Sequence, residues 1–66
     1  MFTSDEIKDR LTKKGKIYVE LNNGLHMYLV AYDSITNKFI GTYLPCVKDA
    51  QKYEIDFEKI DEIYEY

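Results

Sequence analysis

The spacing of apolar residues changes at Lys16 from a helical period to an alternating one. Before it, Ile7 and Leu11 are four residues apart, which is helical spacing, and Phe2 lies where a hydrophobic staple would place it. After it, apolar side chains recur at every second residue, as in a strand with one buried face. The sequence therefore predicts one short helix followed by strands.

The amino-terminal helix has recognisable start and stop signals. Thr3 and Glu6 have the spacing of a capping box, which predicts that the helix begins at Ser4. Lysines in the last turn complement the helix dipole, and Gly15 can supply the left-handed residue that ends many helices. Because its apolar stripe is thin, we expect this helix, residues 4–14, to lie across one end of a sheet.

Three meandering strands are predicted after the helix. The first, 16–21, is joined by a tight turn to the second, 25–32, which has apolar or aromatic residues on both faces. A strand of that kind is expected in the centre of a sheet. The third strand, 38–44, contains Gly41, which suggests a bulge or a sharp bend.

The last part of the chain contains two patterns. Over residues 53–58 apolar and acidic side chains alternate, so Tyr53, Ile55 and Phe57 should face the core. From Ile60 onward the apolar residues fall three and four apart, which indicates a helical turn after Phe57. A short last strand is then expected around residue 63.

The predicted order of elements resembles the small β-barrels of the SH3-like and Sm-like kind. The segment 57–60 would be the helical turn that precedes their last strand, and Leu21-x-x-Gly24, followed by Asp33 and Asn37, looks like the first Sm motif. The resemblance implies a small five-stranded SH3-like or Sm-like barrel. The fold class that we expect is thus mainly β with one N-terminal α-helix.

Size and composition limit the possible classes of function. Sixty-six residues make a single small domain, 1–66, with the barrel over 16–66, and a domain of this size has little room for an internal substrate cavity. Its composition, 45% hydrophobic and 32% charged, is typical of a folded soluble domain. With neither a signal-like start nor an apolar run of the roughly 20 residues that span a bilayer, we expect a cytoplasmic protein with no membrane partner.

We expect no enzymatic activity, no cofactor and no metal. His26 is the only histidine and Cys46 the only cysteine, and nothing in their spacing brings them together as a catalytic pair. A lone histidine is a poor start for a zinc site, which uses several cysteine or histidine ligands. Packing is the role predicted for the Cys46 thiol.

Charge and aromatic content indicate a protein that binds other proteins. The net charge of −3 makes nucleic acid an improbable partner, and seven acidic residues against two lysines from Asp49 onward concentrate the negative charge at one end. Seven tyrosines are more than so small a core can bury, and tyrosine is common in binding hot spots. The residues predicted to bind a partner are Glu58, Asp61, Glu62, Tyr64, Glu65 and Tyr66.

The predicted function is that of a non-enzymatic small-barrel interaction module that docks on another protein. Lysine outnumbers arginine eight to one, the bias of an AT-rich genome, which suggests a phage or mobile-element accessory protein that modulates or inhibits a host protein. Two alternative functions stay open: an acidic mimic of nucleic acid, and direct nucleic-acid binding through a basic flank, residues 8–16, and exposed tyrosines. The sequence also leaves open that the acidic end is a solvated face with no partner. Homo-oligomers formed through an edge strand are also possible.

Overall fold

The computed structural model of the protein describes residues 2–64. Its single helix, α1 (Ser4–Lys14), begins and ends as predicted. Thr3 accepts a hydrogen bond from the Glu6 N–H at 3.2 Å, and the Glu6 carboxylate accepts one from the Thr3 N–H at 3.1 Å, which completes the capping box. Gly15 has a φ of 82° and its N–H donates to the Leu11 carbonyl at 2.8 Å.

Five strands follow and form one antiparallel sheet. The order across the sheet is β4-β3-β2-β1-β5, so β2 is central as predicted. The hairpin between β1 and β2 is closed at Gly24, which has a φ of 87°. In chain order the elements are β1 (Ile17–Leu21), β2 (His26–Asp33), β3 (Lys38–Thr42), β4 (Tyr53–Ile55), a 3-10 turn (Phe57–Lys59) and β5 (Ile60–Tyr64).

The two edge strands of the sheet, β4 and β5, are separated by only four residues of chain. Five flat strands would put the edges about 19 Å apart, whereas a connection this short that contains a 3-10 turn spans roughly 12 to 15 Å. The sheet must therefore curl, although no hydrogen-bonded pairing joins β4 to β5 in the described chain. A mainly β fold with five antiparallel strands and one helix is confirmed, while closure into a barrel stays a prediction.

A bulge lies near the bend that the sequence predicts at Gly41. Leu29 of β2 pairs with Gly41, and Ala31 pairs with Ile40, so Val30 is the extra residue. The extra residue is thus on β2, and Gly41 is the position opposite it. The backbone at Gly41 also lies close to the buried Met27 side chain, so that a Cβ at this position would clash with it.

A second bulge, at Asp61 in β5, explains the spacing that predicts a helical turn. The register between β1 and β5 shifts by one residue there. Ile60 before the bulge is buried, and Ile63 after it packs against the core. Their spacing of three is therefore the mark of a bulged strand. The helical turn itself lies at Phe57–Lys59, within the predicted segment 57–60. The predicted short last strand is confirmed.

The hydrophobic core receives side chains from α1 and from all five strands. The helix contacts β1 and β2 and contributes Ile7 and Leu11. Since Ile7 is fully buried, α1 is part of the core as well as a cover for it. No helix among residues 2–64 has the length and apolarity needed to cross a membrane. The largest fully buried side chains are Phe39, Ile7, Leu29 and Val19.

Two predictions about buried side chains are wrong: one concerns the first residue of β4, and the other concerns the loop before β4. Tyr53, predicted to face the core, is 38% exposed and packs edge-on against Tyr43, with ring centroids 5.6 Å apart. Cys46, predicted to pack, is exposed. The reason is the same in each case: β4 is a three-residue edge strand, and the loop before it follows the surface. Ile55 is buried as predicted.

Candidate protein-interaction surfaces

Four of the six residues predicted to bind a partner lie on the 3-10 turn and β5, where the structure divides them between two surfaces. Three of the predicted acidic residues line an open groove, and Tyr64 belongs to a row of tyrosines across the sheet. Two predicted residues, Glu65 and Tyr66, lie outside the described residues.

The first surface, the acidic groove, has an apolar floor and an acidic rim. Its volume is about 550 Å³ and it opens to solvent. The floor side chains are partly or fully buried in the core, whereas the rim carboxylates are exposed. The floor is formed by Phe2, Phe57 and Ile60, and the rim by Glu58, Asp61 and Glu62.

Two local structures fix the aromatic part of the groove floor. Phe2 comes just before the capped start of α1, and Phe57 begins the 3-10 turn. Their rings meet edge to face, with centroids 5.9 Å apart and an interplanar angle of 88°. Ile60, only 7% exposed, completes the floor from the core side.

The bulge in β5 is what concentrates charge at the rim. In a regular strand, adjacent residues point to opposite faces. Because Asp61 is the extra residue of a bulge, Asp61 and Glu62 are both exposed and both line the groove. None of the ion pairs between described residues involves these two carboxylates or Glu58. The rim carboxylates therefore form no ion pair with a described lysine or arginine, although the exposed Lys59 follows Glu58 directly in the chain.

The second surface, the tyrosine row, runs across three strands. Tyr18 of β1 is the direct cross-strand neighbour of Tyr28 on β2 and of Tyr64 on β5. The centroid of the Tyr18 ring lies 4.8 Å from that of Tyr28 and 5.7 Å from that of Tyr64. Such aromatic pairs stabilise a sheet. As the sequence predicts, the core is too small to bury the tyrosines, and none of the six in the described chain is buried.

Polar groups next to the tyrosine row bind one another. The Tyr18 hydroxyl lies 3.0 Å from His26 Nδ1, and His26 Nε2 lies 3.7 Å from a Glu20 carboxylate oxygen. The Tyr64 hydroxyl donates a hydrogen bond to Glu20 at 2.9 Å, and its ring stacks on His26 with centroids 5.9 Å apart. His26 is thus a member of a cross-strand network.

The Tyr64 phenol responds to this network. Its hydrogen bond to the Glu20 carboxylate raises the pKa of Tyr64 above the ordinary value of 10.0. Slight desolvation and the negative charges of Glu20 and Glu62 act in the same direction. The phenol therefore stays neutral, and able to donate, throughout the physiological range.

His26 and Cys46, the residues considered for catalysis and metal binding, lie on different elements of the structure. The described partners of His26 are Tyr18, Glu20 and Tyr64, while Cys46 is exposed in the loop between β3 and β4. Within residues 2–64, no group of three or more histidine, cysteine or acidic side chains could hold a metal ion.

The basic flank that direct nucleic-acid binding would use is on α1, and its lysines have partners in the domain. Lys8 lies 4.2 Å from the centre of the Tyr32 ring and 3.7 Å from the Asp5 carboxylate. Lys13 pairs with Asp9 at 3.0 Å.

The groove floor is the part of the candidate site that sequence reasoning missed. Phe2 and Phe57 lie at opposite ends of the chain, and each has a sufficient local explanation, as a staple and as a strand residue. No spacing in the sequence brings them together. The chain matches no protein-family model, no curated protein and no solved structure. Its function is therefore inferred from the two surfaces.

Proposed function

We propose that the protein is a non-enzymatic interaction module that docks on another protein through the side formed by the 3-10 turn and β5. The observation that carries this proposal is the acidic groove, in which an apolar floor lies beside exposed carboxylates. Burial of the floor would contribute affinity, and the rim would steer and orient a partner.

Folding alone gives no reason for this concentration of charge. Exposed carboxylates without a paired cation contribute little to stability, and like charges close together on an edge strand oppose it. The rim carboxylates Glu58, Asp61 and Glu62 fit that description among the described residues. A role in binding accounts for them better.

The tyrosine row has the opposite character and supports a structural role. Its rings contact each other, and the hydroxyls of Tyr18 and Tyr64 have partners within the sheet. Tyr64, 40% exposed, is the member that could also reach a docked partner at the edge of the sheet. We assign it a secondary part in binding.

The same proposal extends to the finer fold class and to the biological setting. A small barrel of the SH3-like or Sm-like kind is supported by the strand order and by the 3-10 turn just before β5. A phage or mobile-element accessory protein that modulates a host protein is supported by small size, acidity and lysine bias. Nucleic-acid mimicry is the competing role, in which spaced carboxylates would suffice without an apolar floor.

A capture experiment with charge-matched variants tests the docking surface. Immobilised wild-type protein, Glu58→Lys/Asp61→Lys and Asp49→Lys/Glu54→Lys would be exposed to the same bacterial lysate. Both double variants change the net charge equally, and all four substituted residues are exposed. Only the first variant alters residues that line the groove. We expect proteins retained by the wild type and by the control to be lost from the groove variant. Equal retention by all three would contradict the proposal.

A further inference from the structure

The shape and charge of the acidic groove also restrict what can occupy it. We propose that the groove takes a short basic segment of the partner protein in which one apolar side chain is flanked by lysine or arginine. The apolar side chain would lie on Phe2, Phe57 and Ile60, and the flanking cations would pair with the rim. This inference rests on the proposed function and adds the chemistry of the bound segment.

The floor sets the requirement for an apolar side chain. A volume of about 550 Å³, open to solvent, is large enough to hold a side chain and its neighbouring backbone. The edge-to-face arrangement of Phe2 and Phe57 presents a ring face and a ring edge together. An aliphatic or aromatic side chain can cover both, and it would remove water from them and from Ile60.

The rim sets the requirement for positive charge on both sides of that side chain. Glu58 comes from the 3-10 turn, whereas Asp61 and Glu62 come from the bulged part of β5, and Ile60 of the floor lies between them in the chain. The carboxylates that line the groove therefore come from two different elements, and we expect lysine or arginine on both sides of the bound apolar side chain to pair with them. A phosphate-bearing ligand would be repelled from the same position.

Among the described residues of a second copy, no exposed apolar side chain has a lysine or arginine on both sides. The exposed Val47 and Tyr53 each have a lysine on one side only, Lys48 and Lys52, with Asp49 and Glu54 close by. The lysines of α1 stand beside Ile7 and Leu11, and both are buried in the core. The most exposed apolar side chain described, Ile35, is 92% exposed at the turn between β2 and β3. It follows Asp33 closely, and a carboxylate there would meet an acidic rim. The occupant is therefore a different protein.

Synthetic peptides supply the probe for this inference. The test peptides are Gly-Lys-Lys-X-Lys-Lys-Gly with leucine, isoleucine, methionine or phenylalanine at X. One control has glycine at X and keeps the charge, and another keeps leucine and replaces the lysines by glutamate. Titration of isotope-labelled protein would be followed by amide chemical shifts. We expect shifts centred on residues 57–62, with at least one test peptide binding roughly tenfold more tightly than the glycine control, the gain expected from burying one apolar side chain.

Matched variants locate the binding and keep the test independent of folding. Glu58→Gln/Asp61→Asn removes rim charge with little change of shape, and Asp49→Asn/Glu54→Gln removes the same charge elsewhere. We expect the first variant to bind the best test peptide several-fold more weakly and the second to match the wild type. Phe57→Leu, which keeps an apolar floor but loses the ring edge, should give an intermediate loss.

Four results would overturn the inference: no binding of any test peptide at millimolar concentration, equal binding of the glycine control, shifts centred on the tyrosine row, or a dimer by light scattering that Ile35→Ser dissolves. Each would leave the lysate experiment to decide the proposed function. Loss of capture by the groove variant together with failure of the peptides would mean that the partner docks on this side with a different chemistry. Capture unaffected by the groove variant would instead reject the docking side itself.

Discussion

The acidic groove and the tyrosine row both include residues of β5, but they differ in whether their polar side chains have partners within the described chain. In the row, Tyr18 is within hydrogen-bonding distance of His26, and Tyr64 donates to Glu20, so the exposed aromatic face is tied together across three strands. In the groove, exposed carboxylates surround an apolar floor, and the ion pairs between described residues leave them out.

This difference shows that exposure alone does not identify a binding residue. An exposed tyrosine whose ring and hydroxyl both have partners is explained by the stability of the sheet. An exposed carboxylate without a described cation, next to apolar surface, is not explained in that way. The predictions below test whether the two surfaces divide stability and binding between them.

The largest stability effect is expected in the tyrosine row. Tyr64→Ala removes ring contacts with Tyr18 and His26 and the hydrogen bond to Glu20, so the free energy of unfolding should fall by about 1 to 2 kcal/mol. Tyr43→Ala is the matched control, because Tyr43 is similarly exposed, 43% against 40%, and is described with a ring contact to Tyr53. Urea denaturation would compare them. Equal losses would contradict a special role for the row.

The amino-terminal cap should matter to both stability and the groove. Thr3→Ala breaks the capping box and should lower stability by roughly 1 kcal/mol. Because Phe2 directly precedes the cap, the same change should also weaken peptide binding in the groove. Thr12→Ala is the control: it lies inside α1, bonded to the Lys8 carbonyl, where alanine is the better helix former. A thermal melt of Thr3→Ala that matches the control would contradict the role of the cap.

The titration of Tyr64 offers a smaller and more local test. Glu20→Gln weakens the hydrogen bond that chiefly raises the pKa of Tyr64 and removes the carboxylate charge, so the phenol should ionise closer to 10.0, while Glu62→Gln should produce a lesser change. Since the folded-state pKa is raised, the stabilisation is present below pH 10 and is lost as the pH rises through the folded value. The pKa of Tyr64 in each variant would be measured by following its NMR resonances as a function of pH. An unchanged Tyr64 titration in Glu20→Gln would show that the network does not form in solution.

The smallest effect is expected outside both surfaces. Cys46 is exposed in the loop between β3 and β4, so Cys46→Ser should change stability by less than about 0.5 kcal/mol and leave binding intact. Equilibrium unfolding and the peptide titration would measure the two quantities. Loss of binding at unchanged stability would give the thiol a function that neither surface includes.

Local signals explain what the sequence could predict. The cap at Thr3, the left-handed Gly15 and the hairpin at Gly24 depend on near neighbours, and the structure confirms each of them. The centrality of β2 followed from apolar residues on both of its faces.

The rest depends on contacts between distant parts of the chain. The bulge at Asp61 exists only in relation to β1, and it makes a strand carry the spacing of a helical turn. The contact of Phe2 with Phe57 joins the two ends of the sequence, so the groove floor has no local signature. Tyr53 was misplaced because alternation does not reveal that a strand is short and at an edge.

The most direct test of this division of roles is the affinity of the best lysine-flanked peptide for two double variants. Glu58→Gln/Asp61→Asn alters the groove, and Tyr18→Phe/Tyr64→Phe removes the hydroxyls of the row and keeps its rings. We predict that the groove variant binds roughly fivefold or more weakly, as expected when two charge pairs are lost, and that the row variant binds as tightly as the wild type. Normal affinity in the groove variant, with affinity lost in the row variant, would contradict the account.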